Sequence, residues 1–469
     1  MMNTASSTDQ PILTTKSAAL SQWTRRNHVS KMPQIGFLLF LLLNAILFIR
    51  PMDIFASVKS WPIYEVLSLV CLAVSFRAVI KQFTSQSLLS RPITVCVVGL
   101  LIAVALSQIS HFQFTTAWNC ALEFSKVVVY YLLLVAVVNT PARLRWFLGC
   151  TAVFACIHIG MAVVQYHGLI DLPAMRPVEE QARAKENGEI ITRFRMCGAG
   201  LFHDPNDLSV LAATTIMLCL FPLVEFDPSR PKGWWAAAFF SLLALLLCGY
   251  GLILTESRGG FIALMAGLAI FSLMRFGLKR SLIVAAVALP LIAGLFSARQ
   301  TDFHMMRRTT AQLRMGFWVR GLDLFKHSPI FGIGQGNFQP AVGYVAHNSF
   351  VQSFTELGFF GGTLFLGEFF LALWPIYLLS PRYIVNSDLN RLRPYFLAML
   401  ITWVVGMMSL SRSYVPPTYM LLGVATVYLL LTDSWQPRVN GRLAARLIGL
   451  SLIFLAGVYV FIRVFHRGS

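Results

Sequence analysis

The chain has 469 residues, 57% of them hydrophobic and only 12% charged, and its apolar residues gather in repeated runs of membrane-spanning length. That composition excludes a soluble globule and reads as a polytopic helical membrane protein. Alternating apolar and polar strands of about ten residues, the mark of an outer-membrane barrel, are missing. The formal net charge of +18 then reports loop orientation and anionic lipid, so membrane lipid is an expected partner and nucleic acid is not.

Residues 1–33 are polar and end in Arg25, Arg26 and Lys31, with no A-x-A site before the first apolar run. They are read as a disordered cytoplasmic tail, not a signal peptide. Apolar runs follow at 34–50, 62–80, 92–110, 117–138, 144–165, 206–224, 233–254, 259–277, 281–298, 359–380, 394–411, 414–432 and 443–464. They give 12 or 13 spans in one membrane domain, residues 34–469. The expected fold class is all-α: a transmembrane helical bundle with two long periplasmic loops, 166–204 and 299–358, containing short helices. With the N-terminus inside, every short inner loop carries at least two Lys or Arg, as the positive-inside rule requires.

The outer side departs from that rule. Its two long loops hold Arg176, Arg183, Lys185, Arg193, Arg195, Arg299, Arg307, Arg308, Arg314, Arg320 and Lys326. Long loops translocate regardless of charge, so these cations point to an anionic ligand at the outer face. The eight Cys lie mostly inside apolar runs and show no C-x-x-C, which reads as small buried hydrophobes.

Four stretches could carry chemistry. The first, RFRMCGAGLFHDPNDLS, puts Arg193 and Arg195 ahead of a helix start in which Asp204 is the cap, Pro205 the first helical residue and Asp207 the third. A capped helix behind a snorkelling basic turn is the alternative reading. In the second, TESRGG, Glu256, Ser257 and Arg258 lie at or just below the outer boundary. An Arg there must face protein, water or an anion, or simply pair with Glu256. In the third, the spacing of Arg314, Trp318 and Leu322 predicts an amphipathic surface helix over 310–327, with Asp323 and Lys326 pairing across one turn and FGIGQGNF following as a tight turn. In the fourth, AHNSFVQSFTELG, Ser349 and Gln352 are expected to form a capping box, Gly358 closes the helix, and His347 and Asn348 stand before its positive end. Within the membrane, Glu123 and Lys126 are read as a self-neutralising pair.

In this order, GLFHDPNDLS, TESRGG, RMGFWVRGLDLFKHSPIFGIGQGNF and AHNSFVQSFTELGFFGG resemble the marks of the O-antigen ligase and O-antigen polymerase superfamily of bacterial membrane glycosyltransferases, over roughly 195–375. The resemblance implies transfer of a glycan from undecaprenyl diphosphate to an acceptor hydroxyl at the periplasmic face of the inner membrane, without cofactor or metal. Carried over by motif, Arg258 and Arg314 would bind the diphosphate, and His347 would activate the acceptor hydroxyl or orient the donor. Arg195, with Arg193, Asn206, Trp318, Asn348 and Glu256, would complete the binding site. A ligase acting on lipid A-core is the leading expectation, a repeat-unit polymerase the alternative, and a polysaccharide flippase or transporter the reading from a different class.

Overall fold

A computed structural model describes residues 34–54, 61–183, 190–226, 232–283, 286, 304–433 and 437–466. The tail expected at 1–33 and almost all of the run 281–298 lie outside these residues, as do the side chains of Arg183, Lys185, Arg299, Arg307 and Arg308. The helices follow the apolar runs except α9 and α10, which lie in the second long loop: α1 (Gln34–Ile49), α2 (Ile63–Ile80), α3 (Pro92–Ile109), α4 (Phe114–Val137), α5 (Pro141–Tyr166), α6 (Pro205–Val224), α7 (Lys232–Leu254), α8 (Arg258–Phe276), α9 (His304–His327), α10 (Phe338–Val342), α11 (Ser349–Leu378), α12 (Ser387–Met407), α13 (Pro416–Leu431) and α14 (Gly441–His466). Ten of them are long and apolar enough to cross a membrane. Two more apolar runs became α12, which carries Asp388, Arg391 and Arg393 in its first two turns, and α13, which has only 16 residues. The chain is an all-α polytopic bundle.

At its centre α6 packs against α5, α7, α8 and α12. The periphery is equally apolar but turned outward: α2 and α14 have mean hydropathies of 2.0 and 2.3, yet only 17% of each span is buried. Leu69 on α2 and Ile453 on α14 face out. Apolar rows of that length on an outer surface belong in lipid, since water would drive them inward.

Two features depart from the sequence reading. The loop 166–204 carries, besides short 3-10 turns, an antiparallel hairpin of β1 (Val178–Arg183) and β2 (Ile190–Arg195). The β-branched start of IITRFR favours strand, a signal too short to register beside the spans. In the second loop, α9 ends at His327 and Lys326 reaches Asp323 at 3.6 Å, as the spacing predicted. Gly358 does break the helix, at φ 66° and ψ −166°, but the chain resumes helix at once, so α11 is kinked rather than ended.

That kink anchors the glycine-rich turn. Ile333 and Gly334 donate backbone N–H groups to the carbonyls of Thr355 and Glu356, both at 3.0 Å, while Phe359 and Phe360 donate to Pro329 and Ile330. A Cβ on Gly358 would lie 2.3 Å from the Ile330 carbonyl oxygen, and its φ excludes most L side chains. Glycine is required there twice over. The lacing ties the turn after α9 to the helix that begins beside His347.

Candidate active site

Three helix N-termini meet at the end of the bundle that carries the long loops. On α6, the Asp204 carboxylate accepts the Asn206 N–H at 2.7 Å, as the sequence predicted. On α8, Ser257 accepts the Gly260 N–H at 3.2 Å. On α11, the cap is Asn348, whose Oδ1 accepts from Phe350 and Val351 at 3.1 and 3.2 Å. The expected Ser349–Gln352 capping box is thus displaced by one residue. Ser349 instead bonds the turn after α12, donating to the Leu410 carbonyl at 2.7 Å, and Gln352 donates to buried Glu356. Gathered helix N-termini present unsatisfied N–H groups and partial positive charge.

Close packing makes the meeting possible. A Cβ on Gly260 would sit 2.1 Å from the Ser209 Oγ of α6, and one on Gly259 would sit 2.3 Å from the Ser409 Oγ. The TESRGG turn therefore rests directly on α6 and on the α12–α13 turn. Ser257 Oγ donates to Asn206 Oδ1 at 2.8 Å, fixing the two helix starts together. Arg258 follows at the first position of α8, with its side chain exposed.

The hairpin brings its arginines to the same place. Arg195 donates to three acceptors on three elements: the Thr255 carbonyl at 2.9 Å, Glu180 at 2.7 Å and Asn206 Oδ1 at 3.2 Å. Arg193 reaches Glu256 at 3.4 Å, so the hairpin supplies a partner for this carboxylate that the sequence reading had sought in Arg258. Upstream, a Cβ on Gly198 would lie 2.2 Å from Nε2 of buried His158, which accepts the Ala199 N–H at 3.3 Å. This contact seats the segment that leads into Asp204.

On the opposite side, α9 contributes Arg314 and Trp318. The Trp318 indole N–H donates to the Ala346 carbonyl at 2.8 Å, immediately before His347. Arg314, one turn earlier, is within electrostatic reach of Asp204, Arg195, Glu180 and His347. His347 itself has φ 48°, uncommon for a residue with a side chain, and its N–H donates to Ser411 Oγ at 3.0 Å. Burial, with the guanidinium of Arg314 and then that of Arg412 against an opposing Asp204, pulls its imidazole from 6.5 down to about 4. At neutral pH the ring is uncharged and able to accept a proton or a hydrogen bond.

The structure thus gathers Arg193, Arg195, Asn206 and Glu256 by hydrogen bonds and an ion pair, with Arg314 in electrostatic reach of Arg195 and of His347, and sets the backbone of Arg258 beside them. Trp318 and Asn348 stand there as supports, since the Trp318 N–H and the Asn348 Oδ1 are already committed to backbone partners. The Glu123–Lys126 pair forms at 2.7 Å and stays outside the site. Arg412, absent from the sequence reading, belongs inside. It lies on the α12–α13 turn and donates through Nε and Nη2 to the two carboxylate oxygens of Asp207, the first at 2.5 Å. The hint was an Arg as the one charge of a short turn, SRSYVPP, between two apolar runs.

Residues 243–366 match the family model described as O-antigen ligase. The similarity to the O-antigen ligase superfamily expected from the four motifs is shown on this segment, a little over a quarter of the chain. It contains Glu256, Arg258, Arg314, Trp318, His347 and Asn348. Arg193, Arg195, Asn206, Asp207 and Arg412 lie outside the matched O-antigen ligase segment and join it only through the fold. No curated protein matches the chain. The match supports a membrane glycosyltransferase of the O-antigen ligase and polymerase kind. Among the described residues, no group of three or more His, Cys, Asp or Glu is arranged to hold a metal ion.

Proposed function

We propose that the protein transfers a glycan from a polyprenyl diphosphate, of the undecaprenyl class, to a hydroxyl of lipid A-core at the periplasmic face of the inner membrane. The observation that carries this reading is the joining of Arg195, Arg314 and the uncharged His347 around three helix N-termini, partly within the O-antigen ligase segment. Guanidinium groups suit a diphosphate because their planar forks match its oxygens and stay charged at any working pH. The acceptor oxygen bonds to the anomeric carbon as the bond from that carbon to the diphosphate oxygen breaks. The leaving polyprenyl diphosphate gains charge, and preorganised cations oppose it with several kcal/mol of transition-state stabilisation.

His347 takes the acceptor proton. Its basicity is held down by burial and by the Arg314 and Arg412 charges. A bound diphosphate offsets those charges, so the base strengthens when a donor is present. Glu180 and Glu256, which pair with Arg195 and Arg193, are the carboxylates that the incoming anion displaces.

The test is transfer by the purified chain in lipid nanodiscs with a polyprenyl-diphosphate glycan, with and without lipid A-core. Product that appears only with lipid A-core supports the ligase. Growth of the lipid-linked glycan without it would assign the polymerase reaction instead.

A further inference from the structure

Resting on that reading, we propose that Arg412 is a further binding residue for the donor diphosphate, presented edge-on to the site by Asp207. A guanidinium has five N–H donors. Asp207 takes the Nε and Nη2 edge in a bidentate pair, and the Nη1 edge has no hydrogen-bond partner among the described residues. The Asp207 side chain is 4% exposed and that of Arg412 is 30% exposed, so the arginine and not the carboxylate is the accessible member of the pair. An ion pair serving only to tie the α12–α13 turn to α6 has no need of a free, accessible donor edge.

The position of that edge is fixed from two more directions. The Arg412 backbone N–H donates to Ser349 Oγ at 2.8 Å, and its carbonyl accepts from Thr418 at 2.8 Å. Its neighbour Ser411 holds the His347 N–H. The turn that carries Arg412 is thus built onto the segment 347–349. Asp204 acts electrostatically on Arg314, His347 and Arg412 alike. An anion bound beside His347 would come under both Arg314 of α9 and Arg412 of the α12–α13 turn, whose charges both act on the His347 ring. The pairing also makes chemical sense of Asp207: fixing one edge of a flexible side chain removes most of the rotamer freedom that binding would otherwise have to freeze.

The test uses the full chain in lipid nanodiscs and farnesyl diphosphate as the probe, its binding measured by calorimetry, with farnesol as the uncharged control. Arg412→Lys keeps the charge but loses the fork, and Arg412→Gln loses the charge. Each is expected to weaken farnesyl diphosphate about tenfold or more, the scale of a lost charge-assisted hydrogen bond. Asp207→Asn, which frees the guanidinium to wander, is expected to weaken it less. Binding by a folded Arg412→Lys within twofold of wild type would overturn the proposal, even if Arg412→Gln failed to fold. Wild-type protein that binds farnesyl diphosphate no better than farnesol would instead sink the donor reading on which the proposal rests.

Discussion

Removing the charge of Arg314 is expected to make His347 easier to protonate. A free imidazole titrates near 6.5 and His347 is held at about 4, so its surroundings oppose protonation by about 3 kcal/mol, at roughly 1.4 kcal/mol per unit. Burial is the largest cause and Arg314 the next, so Arg314→Gln should recover only part of this, about one unit. Diethyl pyrocarbonate acylates only the uncharged ring, and mass spectrometry of the His347 peptide reads its extent at each pH without requiring activity. Half-maximal reactivity is expected near pH 4 in wild type, higher in Arg314→Gln, and higher again with inorganic diphosphate bound. A wild-type midpoint near 6.5, or a variant midpoint that does not move, would refute the electrostatic account of the site. The sign for stability follows from the same shift. The unfolded chain takes up a proton at His347 at a higher pH than the folded protein does. This contribution is therefore intact above about 6.5 and is lost as pH falls towards 4.

Three further outcomes are expected. Arg195→Lys cannot serve Thr255, Glu180 and Asn206 at once, and losing the fork should lower transfer kcat/KM by about tenfold to a hundredfold at little cost in thermal stability. Gly260→Ala drives a methyl against Ser209 and should destabilise the detergent-solubilised protein by about 1–3 kcal/mol. Pairing it with Ser209→Gly should restore most of the melting temperature, and the absence of any rescue would argue against this contact. Gly358→Ala meets both a forbidden backbone angle and the Ile330 carbonyl, so its loss in thermal unfolding should exceed the strain term alone, about 1–3 kcal/mol.

The bundle was legible because a span has to be apolar along its whole length, a signal that survives every detail of packing. The Asp204 cap was legible for a local reason: cap, proline and helix are consecutive residues. The hairpin was not, since two six-residue strands carry little pattern beside spans of 18 residues or more. Arg412 was hidden more deeply. Its meaning lies in Asp207, 205 residues away, and neither residue is unusual until the fold brings α6 against the α12–α13 turn. Asn348 and Ser349 show the same limit at short range, because either can cap a helix and only the pull of Leu410 and Arg412 on the Ser349 hydroxyl decides between them. Four motifs in sequence marked the site. Glu180 and Arg412, which complete its charges, lie outside those motifs.

The central claim is that one centre, with Arg314 holding the diphosphate and His347 taking the proton, transfers the glycan. Its most direct measurement is a single turnover of polyprenyl-diphosphate glycan with lipid A-core, following glycosylated acceptor and free polyprenyl diphosphate together. Wild type should release one polyprenyl diphosphate for each acceptor glycosylated. His347→Ala should bind the donor nearly as well as wild type but release neither product at a comparable rate. Undiminished transfer by His347→Ala, or polyprenyl diphosphate released without acceptor glycosylated, would contradict it.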